Sequence, residues 1–394
     1  MTPAARLGAA VEVLDAVIAA ARDNGPAADT ILSNYFKTRR YAGAKDRRAV
    51  RELVYAAVRL CGERPPSGRA AILALAAAQP ELQDLFGDGP HAPAPPDAAE
   101  PVAEPGVAPA WIVEALTGAG IGGEAQRALL ARAPLDIRAN TLRTSRDELL
   151  AELPGAVALP HDPDALRLPE GTAVERLPAF LEGRAEVQDA GSQLVARAAG
   201  AGPGMRVVDL CAGGGGKTLA LAAHMQDQGR ILAADVDRAR LSRLAPRAAR
   251  AGVSITEVRL LDPNREREAL EDWLGTADMV LVDAPCSGTG TWRRNPEARW
   301  RLTADRLQRL VDTQARLLDI AATLVPPGGA LTYIVCSLLN AEGADQVDDF
   351  LRRSTGWQPE ALEIAGAERH GPGMRLHPAA GDTDGFFVAR LRRS

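Results

Sequence analysis

Four cysteines, a glycine-rich turn and a few aspartates are the residues whose types and spacing could do chemistry in this chain. Cys61, Cys211, Cys286 and Cys336 lie far apart and form no Cys-x-x-Cys pair. Neither a disulfide framework nor a thiolate zinc site is suggested. The five histidines are scattered singly, so no metal is expected. Cys286 sits in Asp283-Ala-Pro-Cys-Ser-Gly-Thr-Gly290 and Cys336 in Tyr333-Ile-Val-Cys-Ser337, each directly after an apolar run. A thiolate is the natural nucleophile for a soft, electron-poor carbon, and a neighbouring carboxyl group can manage the proton as the adduct forms. Pyrimidine C6 is such a carbon. Thiolate addition there turns C5 into an enamine-like centre able to accept an electrophilic methyl group. Residue types alone leave either Cys286 or Cys336 as nucleophile. Cys61 reads as a small buried hydrophobe, and Cys211 as packing or a ligand contact.

The turn is Asp209-Leu-Cys-Ala-Gly-Gly-Gly-Gly-Lys-Thr218, between a predicted strand and the helix from Leu219 to Met225. Glycines there let a ligand approach the backbone near the positive end of a helix dipole. Asp235, ending the next strand, can accept hydrogen bonds from two ribose hydroxyls. A triphosphate-binding loop is excluded, because the glycine it needs five residues before Gly216 is Cys211. Nothing downstream supplies a hydride partner for a nicotinamide.

From about Gly200 the pattern is strand, turn, helix, repeated. Predicted strands are 206–210, 230–235, 255–260, 279–283, 330–335 and 385–391. Continuous apolar strands alternating with helices imply a mostly parallel sheet covered on both faces. Ligands of such a sheet lie beyond the carboxyl ends of its strands, where Gly213 to Gly216, Asp235, Asp283, Cys286 and Cys336 all fall.

Upstream, apolar residues recur at helical spacing over 5–60, which predicts a helical domain over 1–88. Phe36 to Arg51 holds seven cations, among them Arg39, Arg40, Lys45, Arg47 and Arg48, against one acid, with Phe36 and Tyr41 interleaved. That pattern suits either a phosphate-binding surface with stacking rings or a solvated helix face. Residues 89–109, with seven prolines and six alanines, read as an extended linker. A small α+β region is predicted over 110–185, with a helix over 112–130, a strand over 136–143 and a Ser145/Glu148 capping box. The last domain spans 186–394.

With 394 residues, 46% hydrophobic and 25% charged, the chain can bury a sizeable core and is not largely disordered. Forty-six basic residues against 51 acidic ones give a net charge of −5, so any nucleic-acid contact must come from local patches. Apolar runs are too short to span a bilayer and no signal-like segment opens the chain, which points to a cytoplasmic protein without a membrane partner.

Taken together, the motifs 209–218, 283–297 and Val335-Cys-Ser337 resemble those of the RNA cytosine-C5 methyltransferases of the Sun/Fmu, RsmB-like type. Val187-Gln-Asp-Ala-Gly-Ser-Gln193 resembles that family's lead-in, and Thr383-Asp-Gly-Phe-Phe387 its last strand. The likeness runs from about Pro109 to the C-terminus, and the first helices resemble a NusB-type RNA-binding domain. Three positions depart from the pattern: Gly213-Gly214 stands where the family commonly has Ala-Pro, and Val335 where it has threonine.

The resemblance implies an α/β, Rossmann-like S-adenosylmethionine-dependent methyltransferase fold with a seven-stranded, mostly parallel sheet. S-adenosylmethionine would lie against Cys211, Ala212, Gly213, Gly214, Gly215, Gly216 and Lys217, with Asp235 on its ribose, Asp262 near its adenine and Asp283 facing both cofactor and base. Cys336 would attack C6, Asp283 would help protonate N3, and Cys286 would assist release. Arg293 and Arg294 would contact RNA phosphates around an extruded cytosine. The chain would act as a monomer on RNA, 16S ribosomal RNA first. Transfer RNA is the second substrate, and a non-catalytic RNA-binding assembly factor the rival class.

Overall fold

The computed structural model describes residues 1–87 and 89–394, so the boundary expected at residue 88 lies outside the described residues. The chain forms two compact units: residues 1–131 with 291–304, and residues 132–290 with 305–394. No described helix is long and apolar enough to cross a membrane.

The first unit is built on α1 (Pro3–Arg22), α2 (Ala28–Lys37), α3 (Ala44–Leu60) and α4 (Gly68–Ala78). Thr2 caps α1, accepting from the Ala5 N–H at 3.1 Å, and Leu7, Val13, Leu14 and Val17 form its buried stripe. Residues 89–109 depart from the expected extended linker. Ala103 enters the helical core, its N–H donates to Ala70 O at 3.1 Å, and Pro105 bridges to Cys61. The segment lacks donors because of its prolines, but its remaining backbone groups and small side chains let it lie flat on the helices. The helix expected over 112–130 is broken into Ala110–Gly118 and Gly123–Ala128 by Gly120, whose φ of 81° ends the first piece. Both pieces belong to this unit rather than to a separate α+β region.

The small sheet of the second unit runs β2-β3-β1-β4, all antiparallel, from β1 (Leu135–Ala139), β2 (Val157–Ala158), β3 (Ala165–Leu168) and β4 (Ala185–Val187). The capping box opens the helix Arg146–Glu152 as predicted: Ser145 Oγ accepts from Glu148 N at 3.2 Å, and Glu148 accepts from Ser145 N at 3.0 Å.

The main sheet holds β5 (Arg206–Asp209), β6 (Arg230–Asp235), β7 (Thr256–Leu260), β8 (Met279–Asp283), β9 (Ala330–Val335), β10 (Trp357–Glu360), β11 (Glu368–His370), β12 (Gly373–Leu376) and β13 (Phe386–Arg393). Strands β7-β6-β5-β8-β9 are parallel, and β13 joins β9 antiparallel. β10 pairs with the end of β13 to complete seven strands, and the hairpin β11–β12 extends the other end of β13, giving nine. Alternate residues face opposite cores. Val208, Leu232, Val280, Val282 and Tyr333 pack on one side, and Val207, Ile231, Ala233, Leu281 and Ile334 on the other. Burial on both faces is why these strands read as unbroken apolar runs.

Candidate active site

β5 is flanked by β6 on one side and β8 on the other, so the chain leaves it in opposite directions and opens a crevice at its carboxyl end. The glycine turn fills that end. Gly213 (φ 55°) and Gly215 (φ 82°) adopt left-handed backbone, and a Cβ on Gly215 would sit 2.1 Å from Leu244 Cδ1. Helix Gly216–His224 follows directly. Asp235, at the end of β6, is buried and accepts from Gly213 N at 2.7 Å and Asp237 N at 2.8 Å. Its carboxylate holds the turn in shape. Asp262 lies exposed just past β7. Burial pushes the half-buried Cys211 thiol well above its ordinary value, which disfavours its thiolate.

Asp209, the first residue of the turn motif, has a structural role. It is fully buried at the end of β5 and accepts from Thr218 Oγ1 at 2.7 Å, and burial pushes its carboxyl up to about 7. Its other oxygen has no hydrogen-bond partner among the described residues. Carboxylate acceptors at the ends of β5, β6 and β8, around a turn free of side chains, fit a cofactor that carries an amino group and ribose hydroxyls.

The two cysteine loops emerge side by side because β8 and β9 are parallel and in register, Asp283 facing Ile334. Pro285 carries no N–H and cannot continue the ladder. Ala284 N donates to Ile334 O at 2.9 Å and Gly290 N to Cys336 O at 3.0 Å, tying the loops together. The half-buried sulfurs of Cys286 and Cys336 come within 3.4 Å. The contact with Cys336, followed by burial, raises the Cys286 thiol well above its ordinary value. Either sulfur can donate in this contact. Lys217, in the first turn of its helix, reaches Asp283 at 2.6 Å, with Phe386 5.4 Å from the ammonium. Burial works against the Lys217 charge, but Asp283, with Cys336 and Asp209 behind it, raises its pKa overall.

Residue type alone did not single out Glu342, which lies fully buried between the loops. No sequence signal separates it from the chain's other acids.

The sites expected for RNA all lie in the helical unit, and the structure treats them unequally. Arg40, Lys45, Arg47 and Arg48 are exposed, and Tyr41 is 72% exposed. Arg39 is half-buried, paired with Glu12 at 3.0 Å and stacked 3.7 Å over Tyr35. Phe36 is buried in the core, so it is no stacking ring on the surface. Arg293 is only 4% exposed, which withdraws it from a phosphate-facing surface, while Arg294 is half-buried. Arg299 is fully buried, donating to Val58 O at 2.5 Å and Cys61 O at 2.8 Å. Arg316 pairs with Glu266 at 2.7 Å.

The crevice, glycine turn and strand-end carboxylates define an S-adenosylmethionine-dependent methyltransferase domain, and the comparisons with known proteins agree. Residues 201–392 match the family described as 16S rRNA methyltransferase RsmB/F, and this domain belongs to that family. The chain is 38% identical over 267 residues to ribosomal RNA small subunit methyltransferase B of Klebsiella pneumoniae, an alignment covering 66% of this chain and 59% of that protein. It thus spans about three fifths of that relative. Among solved structures, one titled PH0851 aligns over 98% of this chain and 99% of its own, at 25% identity and a TM-score of 0.76. A methyltransferase homolog protein from Pyrococcus horikoshii aligns over 72% of this chain and 99% of its own, at 26% identity and a TM-score of 0.61.

Proposed function

We propose that this protein methylates C5 of a cytosine in RNA, with 16S ribosomal RNA as substrate, through a covalent bond between Cys336 and C6. The observation that carries the reading is the 3.4 Å pairing of two thiols beside Asp283. When bound, S-adenosylmethionine supplies an electrophilic methyl group. The turn from Cys211 to Lys217, with Asp235 and Asp262, would hold it against Asp283. Cys336 attacks C6 as thiolate, and the ring electrons shift towards N3. The Lys217–Asp283 pair delivers a proton to N3, leaving an enamine across C4 and C5. Once C5 is methylated, solvent water takes the C5 proton, the sulfur–C6 bond breaks with its electron pair returning to Cys336, N3 gives its proton back to Asp283, and the Cys286 thiol beside that sulfur assists release by donating to the departing thiolate. Alone, the paired thiols allow the reverse roles; the resemblance of the two cysteine motifs to those of the family favours Cys336. Arg40, Lys45, Arg47 and Arg48 suit RNA phosphates.

The test is incubation of folded 16S ribosomal RNA or transfer RNA with methyl-labelled cofactor, followed by mapping of 5-methylcytosine. We expect label in ribosomal RNA with the wild type and none with Cys336→Ala. Label in transfer RNA alone moves the substrate. Cofactor binding without label in either RNA favours an assembly factor.

A further inference from the structure

We infer that Glu342 is a positioning residue that sets the distance between the two catalytic sulfurs, a role that rests on the reading above. Its side chain accepts from both cysteine loops at once. Ser287, directly after Cys286, donates its N–H to Oε1 at 2.8 Å and its hydroxyl to Oε2. Ser337, directly after Cys336, donates its hydroxyl to Oε2 at 2.5 Å. Gln314 Nε2 bridges the same carboxylate, at 3.0 Å, to Pro285 O, at 2.9 Å. The Glu342 carbonyl in turn accepts from Tyr333 OH at 2.7 Å, which fixes its backbone to β9.

Only an ionised carboxylate offers acceptor capacity alone, and all four of its partners are donors. Thr289 extends the clasp. Its hydroxyl lies 3.1 Å from Ser337 Oγ and accepts from Leu338 N at 2.8 Å. Each serine adjoins a cysteine, so a shift of the carboxylate moves both sulfurs. Nothing places Glu342 against the base or the cofactor. It acts through the loops.

The test compares Glu342→Gln with wild type by two readouts, in the full chain. The first is the split between kcat and KM for methyl transfer to ribosomal RNA. We expect kcat to fall on the order of 10²-fold, as for an ångström-scale misplacement of reacting groups, with KM for both substrates little changed. The second needs no RNA: the rate at which diamide, taking up two electrons and two protons, joins Cys286 and Cys336 into a disulfide. That rate should fall severalfold, because the bond demands tight sulfur geometry. Cofactor affinity and Tm near wild type exclude general unfolding. If Glu342→Gln does not fold, Ser287→Ala/Ser337→Ala carries the same expectations. Unchanged kcat overturns the inference, whatever the disulfide rate. Should the wild type methylate no cytosine, the proposed function fails, and the disulfide rate alone decides whether Glu342 sets the sulfur pair.

Discussion

Two buried charges organise this molecule, and they do opposite things. At the sheet edge the Glu342 carboxylate gathers hydroxyl, amide and backbone donors from loops that each present a half-exposed thiol. In the helical unit the Arg299 guanidinium gathers main-chain carbonyls of Pro296, Val58 and Cys61, while Trp300 donates to Cys61 O at 3.3 Å. Glu297 accepts from Ala28 N at 3.0 Å, and Arg301 donates to Gly25 O at 2.7 Å and Pro26 O at 2.6 Å. The first arrangement holds reactive atoms open to a substrate. The second seals residues 296–301 into a core. A buried charge is thus informative through what its partners carry: side chains next to nucleophiles in one case, carbonyls closing a helix end in the other.

The strongest way to break this contrast is at the sulfurs. Cys336→Ala should lower methyl transfer by at least about 10³-fold with cofactor affinity unchanged, read by label incorporation and calorimetry. Cys286→Ala should instead accumulate a protein–RNA adduct that survives denaturant on a gel; a free product with that variant would end its release role. Next comes Arg299→Ala, which orphans buried carbonyls and should destabilise the helical unit by roughly 2–4 kcal/mol. Hydrogen exchange should show lost protection in α3 and α4 with cofactor affinity intact. An equal loss of cofactor affinity would erase the distinction between the two regions.

A smaller effect concerns pH. The Asp209 carboxyl, raised to about 7 in the folded state, binds its proton there more tightly than in the unfolded chain. Between about 4 and 7 this group therefore makes stability fall as pH rises. Burial lowers His224 to about 4, which works the other way between that value and its ordinary one. The readable quantity is the difference between wild type and Asp209→Asn, whose relative stability should grow as pH rises through this window in denaturant titrations. A pH-independent difference would contradict the buried, protonatable state. Smallest of all, Arg40→Ala or Arg48→Ala should each weaken RNA binding and reduce the slope of log affinity against log salt by about 0.9. Arg293→Ala should leave that slope alone.

The alternating strands and the carboxyl-edge rule made the second unit legible, because a parallel sheet forces its strand ends together whatever the loops contain. That rule alone brings Asp283, Cys286 and Cys336 to one edge. It gives neither register nor burial. Glu342 follows Asn340-Ala341 with nothing to mark it, and the fate of Asp209 depends on how completely helix Gly216–His224 covers it. In the helical unit charge and aromatic content misled, since Phe36, Arg293 and Arg299 carry surface-like patterns into the interior. The short pairs β10 and β11–β12 lacked the length to announce themselves, and the proline-rich stretch hid its packing because small side chains leave no periodic trace.

Residues 291–304 belong to the helical unit although 159 residues separate them from its first part. On a ribosome adding about 5–20 residues per second, that gap means a wait on the order of ten seconds with a hydrophobic bundle still missing Trp300. Until then the bundle lacks Trp300 and the carbonyl contacts of Arg299. A gene fragment ending at Ala131 would then yield a product prone to aggregation rather than an RNA-binding module.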